Sequence, residues 1–175
     1  MKSIIISNIT FCPGLEKVSA EFRYSRTLHR ISENHAINMK NEEAKINLSL
    51  QEQPDLLDIH HSYQQPSGEF WIALSDNQVI GTIGLMLKKN HCAVLKKFFV
   101  KKSFRSQKIG LALYNELLKY AINKEVHNII LDTPAVAHAS HTFYEKAGFC
   151  RISAEELPIP YSYPDRDSLL YLLKL

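Results

Sequence analysis

Cysteine is scarce and scattered: Cys12, Cys92 and Cys150 are an odd number, far apart, with no Cys-x-x-Cys or close Cys/His spacing. This excludes a disulfide framework or a zinc site as the organising principle, and the cysteines are expected to be reduced and structural. Long apolar runs are missing too. Lys88 and Lys89 interrupt the longest one, whose glycines argue for a strand, and nothing approaches the roughly 20 apolar residues that span a bilayer. The opening Met1-Lys2-Ser3-Ile4-Ile5-Ile6-Ser7 has too short an apolar core, and no small-residue cleavage pattern, for a secretion signal. A cytoplasmic chain with no membrane partner is therefore expected. A strong excess of one charge is also lacking: the formal net charge is +3 and the pI near 8.7, too mild for the chain as a whole to be a nucleic-acid binder. There is no internal repeat and no low-complexity tract.

What the chain has is enough apolar material for a core. With 175 residues, 45% hydrophobic and 22% charged, it is expected to form one domain over residues 1–175. Its positive charge is local. Lys96, Lys97, Lys101, Lys102, Arg105 and Lys108 crowd one segment in which an apolar strand ending Phe98-Phe99-Val100 passes through a short basic loop into a strong amphipathic helix. The first backbone N–H groups of a helix have no intrahelical partner, and the macrodipole adds partial positive charge there, so this layout makes an anion site. Arg105 and Lys108 would add full charges, and Gly110 would let the backbone approach the ligand closely. A diphosphate is the expected ligand. For the first four lysines, a solvated lysine face is the competing reading.

Along the chain, Ser3 to Thr10 reads as a β-branched strand. Leu15 to Ile37 and Asn41 to Ser49 read as helices, and Pro54 and Pro66-Ser67-Gly68 mark loops. Phe70 to Leu74, the turn Ser75-Asp76-Asn77 and Val79 to Leu87 form a hairpin pattern, followed by a strand from Cys92 to Val100. Gly81 and Gly84 in the middle strand hint at a bulge or at close packing against its backbone. From Gln107 to Asn123, Ile109, Leu113, Leu117 and Ala121 recur every four residues, the most secure helix in the chain. A buried strand Ile129-Ile130-Leu131, a loop Asp132-Thr133-Pro134 and a second helix stopping at Gly148 follow. After Phe149 come a short strand, a loop rich in Pro and Tyr, and a last strand from Ser168 to Leu173. The alternation indicates an α/β fold with a mixed sheet.

Two motifs carry a family resemblance. Arg105-Ser106-Gln107-Lys108-Ile109-Gly110 is similar to the Arg/Gln-x-x-Gly-x-Gly/Ala signature of the GNAT superfamily of acyl-CoA-dependent N-acyltransferases, with Lys108 where the first Gly usually lies. A second register, Gln107 to Ala112, satisfies the pattern two residues later. The first is preferred, because it also aligns the Phe104-Arg105 pair, and a helical backbone at Lys108 would tolerate a Cβ. Phe143-Tyr144-Glu145-Lys146-Ala147-Gly148-Phe149 resembles the family's Tyr-Glu-Lys-x-Gly-Phe block. The resemblance covers about Phe70 to Leu173. It implies a mixed, mostly antiparallel central sheet flanked by helices, acetyl-CoA as co-substrate, no metal, and transfer to a primary amine by direct attack in a ternary complex.

The resemblance also implies roles. Phe98, Phe99 and Val100 would line the pantetheine path, with a backbone N–H near Phe99 or Val100 aimed at the thioester oxygen. Arg105, Ser106, Gln107, Lys108, Ile109 and Gly110 would hold the pyrophosphate. Tyr144 would protonate the departing thiolate, which suits a phenol that keeps its proton at neutral pH. His138 would contact coenzyme A beside Ala137, where the family often has Asn. The general base is not marked: Val94 stands where many members carry Glu, leaving Glu69, Asp132, His91, His138 or a water chain as candidates. Tyr161 and Tyr163 would either line the acceptor pocket or lie in a plain surface loop, and His60 and His61 with Tyr63 stand in a segment that in related sequences often forms part of the acceptor wall. The acceptor would be a small-molecule or peptide amine, with the chain a monomer or homodimer. A coenzyme-binding regulatory module without useful turnover is the alternative, and a basic nucleic-acid module a third reading, betrayed by salt-sensitive binding that ignores coenzyme A.

Overall fold

The computed structural model describes residues 4–8, 54–65, 67–76, 78–163 and 167–175. The helices expected over Leu15 to Ile37 and Asn41 to Ser49, and Cys12, lie outside the described residues. Seven strands form one sheet: β1 (Ile4–Asn8), β2 (Glu69–Ser75), β3 (Gln78–Leu87), β4 (Cys92–Val100), β5 (Asn128–Pro134), β6 (Cys150–Ile152) and β7 (Ser168–Lys174), in the order β1-β2-β3-β4-β5-β7-β6. Every pair is antiparallel except β4 with β5. The helices are α1 (Pro54–Leu57), α2 (Ile109–Asn123) and α3 (His138–Lys146), with a π-helical turn at His60–Gln64.

The period-2 alternation of the strands divides the core between two faces. On one face Trp71, Ala73, Leu85, Ala93, Leu95, Ile129 and Leu131 pack against the α2 stripe of Ile109, Leu113, Tyr114, Leu117 and Ala121, and against Tyr144 of α3. On the other, Phe70, Ile72 and Leu74 meet Leu56, Ile59 and Tyr63, while Cys92, Val94, Ile130 and Leu172 meet Ile159 from the chain before β7. Gly148 ends the α3 segment at φ 91°, a left-handed conformation that glycine adopts freely.

Gly84 is glycine because Tyr63 lies on it. A Cβ there would sit 2.5 Å from Tyr63 Cε1 and 2.9 Å from Phe70 Cδ2, and both rings are fully buried. Gly84→Ala is expected to cost about 2 kcal/mol by overpacking. Urea unfolding measures this, and a change below a few tenths would show that the Tyr63 ring is not seated on the strand.

Three local expectations need correction. Pro54 opens α1 instead of marking a loop, since proline's missing N–H is harmless at a first helical position. Asp132-Thr133-Pro134 continue β5, pairing with Leu170, Leu169 and Ser168 of β7. Proline is tolerated there because β5 has by then lost its neighbour β4 on the other side. The third concerns Lys108. Helix α2 begins at Ile109, and Lys108 is its N-cap in a left-handed conformation, φ 60° and ψ 13°, not a helical residue.

Candidate active site

The site starts where the sheet comes apart. β4 and β5 pair only through Cys92, Ala93 and Val94 against Asn128, Ile129 and Ile130. Beyond that point β4 stays with β3 and β5 with β7, opening a split between two halves of the sheet. A β-bulge lies on the β4 side of it. Gly84 pairs with Lys96 and Thr82 with Phe99, so β4 carries one residue more than β3 across this stretch. The extra residue lies at Lys97, φ 55°, whose carbonyl accepts a 2.7 Å hydrogen bond from Thr82 Oγ1. A bulge raises local twist and re-aims side chains. Here it leaves Lys96 and Lys97 on one face and turns Phe98 toward α3, where its ring meets Phe143 edge-on at 5.1 Å.

The bulge also sets the backbone. Lys101 N–H donates to Ile80 O on β3, so by the alternation of an antiparallel ladder the amides of Phe98 and Val100 face the split. Arg105 Nε donates to Val100 O at 3.1 Å, which pins the basic loop against the end of β4. Two loop residues, Ser106 and Lys108, have φ near 60°. Left-handed residues alternating with ordinary ones turn successive N–H groups toward one concavity, an anion-binding arrangement. The first α2 bond along the ladder is Ala112 N–H to Lys108 O, so the N–H groups of Ile109, Gly110 and Leu111 are left by helix geometry without intrahelical acceptors.

These elements enclose a cleft of about 360 Å³. Its wall comprises Phe98, Phe99 and Val100 of β4, then Phe104, Arg105, Ser106 and Lys108 of the loop. Ile109, Gly110 and Leu111 of α2, and Ala139, Ser140, Phe143 and Tyr144 of α3, complete it. One end is apolar and the other is rich in donors and cations, as a thiol carrier with a diphosphate requires. Of the residues singled out from sequence, Gln107 and His138 do not line the cleft. Both are exposed, and the His138 ring rests edge-on against His141. Ala139 and Ser140, one and two residues further along α3, take the position given to His138. No motif marks them, but they share a helix with Tyr144. The Tyr144 ring is 6% exposed and is held among Phe98, Phe143, Phe149 and Tyr171.

The left-handed Lys108 explains why glycine is usual at this place in the signature, and it favours the first of the two sequence registers. Lys108→Gly is expected to raise the unfolding free energy by about 0.5 to 1 kcal/mol, because the Cβ penalty disappears. Urea denaturation tests it: destabilisation would mean that Lys108 makes a contact worth more than its strain.

The opposite face of the split is polar. Lys97 Nζ lies 3.1 Å from Asp55 Oδ1, and Tyr63 donates to Asp55 Oδ2 at 2.7 Å. Tyr161 donates to Asp132 Oδ1 and stacks on Tyr163, while Lys96 Nζ stands 5.4 Å over the Tyr161 ring. Burial, and then the neighbouring carboxylate, push both the Tyr63 and the Tyr161 phenols well above the usual range, so both remain protonated donors. His60 is bonded to Gln64 and His61 to Asp58. Among the candidate bases, Glu69 is on β2 and accepts from Gln64 and from its neighbour's N–H, and His91 is at the closed end of β4. His138 is on the surface, and Asp132 alone of these is at the split. Val94 is fully buried.

Similarity to known proteins points the same way. The profile of the Acetyltransferase (GNAT) family matches residues 34–149. An acetyltransferase of known structure from Streptococcus agalactiae is 31% identical, with a TM-score of 0.81 over 98% of both chains. An acetyltransferase from Bacillus anthracis, solved in complex with acetyl coenzyme A, is 26% identical, with a TM-score of 0.54 over 67% of this chain and 69% of that one. N-acetylaspartate synthetase of Danio rerio is 28% identical over 153 residues, 85% of this chain and 48% of the relative, so the chain spans about half the length of that curated relative. With the family profile matched over residues 34–149 and a 31% identical acetyltransferase aligned along 98% of both chains, the chain belongs to the acetyltransferase (GNAT) family.

Proposed function

We propose that the protein is an N-acetyltransferase, a single domain that takes the acetyl group of acetyl-CoA and delivers it to a primary amine by direct attack within a ternary complex. The observation that carries this reading is the cleft in which the α2 N-terminus, the left-handed loop and Tyr144 meet at the split between β4 and β5. Residues present fit the co-substrate. Arg105, Lys108 and the N–H groups of Ile109, Gly110 and Leu111 hold the diphosphate. Phe98, Val100 and Phe143 form the apolar wall beside the pantetheine.

The amides of Phe98 and Val100 are placed to donate to the thioester oxygen as charge develops, an effect worth roughly 3 kcal/mol in acyl transfer. The amine nitrogen bonds to the acetyl carbon, the carbon–sulfur bond breaks, and Tyr144 gives its phenolic proton to the leaving sulfur. The nitrogen's own proton passes to a base or to water. Acetyl-CoA is a substrate consumed in each turnover, and no metal is required. The acceptor is a small-molecule or peptide amine.

Thiol release from acetyl-CoA over an amine panel tests the reading, with binding of acetyl-CoA followed by calorimetry. A buried Val94 in place of the family glutamate favours a second reading, a coenzyme-binding module with no useful turnover. Tight binding without thiol release for any amine would select it. Gly110→Val separates the cleft from the rest of the fold. A Cβ there meets only ordinary contacts, 3.4 Å to Phe98 and 3.6 Å to Val100, while larger methyl groups fill the cleft wall. About 30-fold weaker acetyl-CoA binding is expected, a loss of about 2 kcal/mol, with the fold retained. Unchanged affinity would place the ligand elsewhere.

A further inference from the structure

We propose that the Asp132–Tyr161 pair is the subsite that receives the acceptor's ammonium group and takes up its proton, making Asp132 the proton acceptor of the reaction. The inference rests on the transferase reading and concerns the face of the split opposite the acetyl-CoA cleft. Alternation along β5 puts Leu131 on the face of α2 and α3, and Ile130 on the other with Ile159 and Val94. Asp132, one residue beyond Leu131, therefore faces the same side as Ile130. It lies two residues past the last β4–β5 pair, on the β5 wall of the opening. Lys96, two residues past Val94, takes the matching place on the β4 wall. Tyr161 spans the opening between them, its hydroxyl on Asp132 and its ring under the Lys96 ammonium.

The hydrogen-bond inventory of this pair selects its ligand. Tyr161 spends its only proton on Asp132 Oδ1, and burial together with that carboxylate keeps the phenol protonated. What remains to offer is lone pairs: those of the phenol oxygen and of the carboxylate. A group made only of donors, an ammonium, is the match. The neighbouring Tyr63–Asp55 pair has the same form but is already neutralised by Lys97. Among the described residues no Lys or Arg is bonded to Asp132, so its charge is left for an incoming cation. A primary amine held there must pass through the split to reach the acetyl carbon. One ammonium proton moves first to Asp132, which frees the nitrogen lone pair to attack, and Asp132 later gives that proton to solvent. The second proton, shed from nitrogen as the carbon–sulfur bond breaks, passes to water, from which Tyr144 recovers the proton it gave to sulfur.

The experiment compares Asp132→Asn and Tyr161→Phe with the parent protein, using acetyl-CoA with spermidine, L-aspartate, benzylamine and a tripeptide of free N-terminus. Aniline, uncharged at neutral pH, is the contrast. Expected for Asp132→Asn is a fall of about 100-fold in kcat/KM toward the best charged amine, with acetyl-CoA affinity unchanged and a loss on aniline at least tenfold smaller. Tyr161→Phe keeps the ring under Lys96 and is expected to raise KM for the amine several-fold more than it lowers kcat. Equal losses on charged and neutral amines, or undiminished turnover in Asp132→Asn, would overturn this subsite and leave the transferase reading standing. A parent protein that binds acetyl-CoA but acetylates none of the amines overturns both, and failure to bind acetyl-CoA overturns the reading of the cleft first.

Discussion

Tyr144→Phe is expected to lower kcat by about 100-fold or more while acetyl-CoA affinity stays within a factor of two. The ring is packed on Phe98, Phe143, Phe149 and Tyr171, and phenylalanine keeps all of those contacts, so fold and cleft persist. On the proposed mechanism, what disappears is the proton donor to the leaving sulfur. General acid catalysis contributes about 10² to 10⁴ in rate, which sets the size of the loss. The readout is specific, because thiols with low pKa leave without help. An activated aryl thioester should recover most of the lost rate in the variant, whereas acetyl-CoA should not. Full activity of Tyr144→Phe with acetyl-CoA would remove the tyrosine from the chemistry and leave it as a packing residue.

Asp55→Ala is expected to destabilise the protein by about 3 kcal/mol, the largest stability effect of the substitutions considered. The Lys97 side chain is only 8% exposed and the Tyr63 hydroxyl is fully buried, and Asp55 is bonded to both. Removing the carboxylate takes one anionic partner from a buried ammonium and the acceptor from a buried phenol. Breaking a buried pair from one side costs about 3 to 5 kcal/mol, far more than a surface ion pair contributes. Combining Asp55→Leu with Lys97→Met, which removes both charges, should restore much of the loss. Urea unfolding of the single and double variants decides it. If Asp55→Ala costs less than about 1 kcal/mol, water reaches Lys97 and the pair does not hold the bulge. The bulge also links this test to activity: because Lys97 is its extra residue, loosening Lys97 should disturb the amides of Phe98 and Val100 and lower kcat in the folded variant.

The elements that could be read in the sequence are those governed by local periodicity. The stripe of Ile109, Leu113, Leu117 and Ala121 predicts α2 and the face it buries, and β4 runs over the predicted residues because Cys92 to Val100 has no competing helical period. The donor-rich end of the cleft was legible as well, since a strand, a basic loop and a helix start are contiguous in the chain. Other features were not. Asp132 to Pro134 look like a loop because proline and aspartate are turn residues, yet antiparallel pairing with β7, some 35 residues later, holds them in a strand. Lys108 looks helical because lysine is a good helix former, but the chain must turn sharply between β4 and α2 and takes a left-handed step there.

Sequence alone determined the α/β class, the family signature and the Tyr144 block, because each is written in neighbouring residues whose physics is short-ranged. Only the tertiary structure decided where β4 and β5 part, which face Lys96, Lys97 and Asp132 share, and that Tyr161 crosses the opening to Asp132. These depend on pairings between segments far apart in the chain and on a single bulged residue that shifts the alternation of a strand. No local pattern encodes them, and they set the candidate acceptor side of the site.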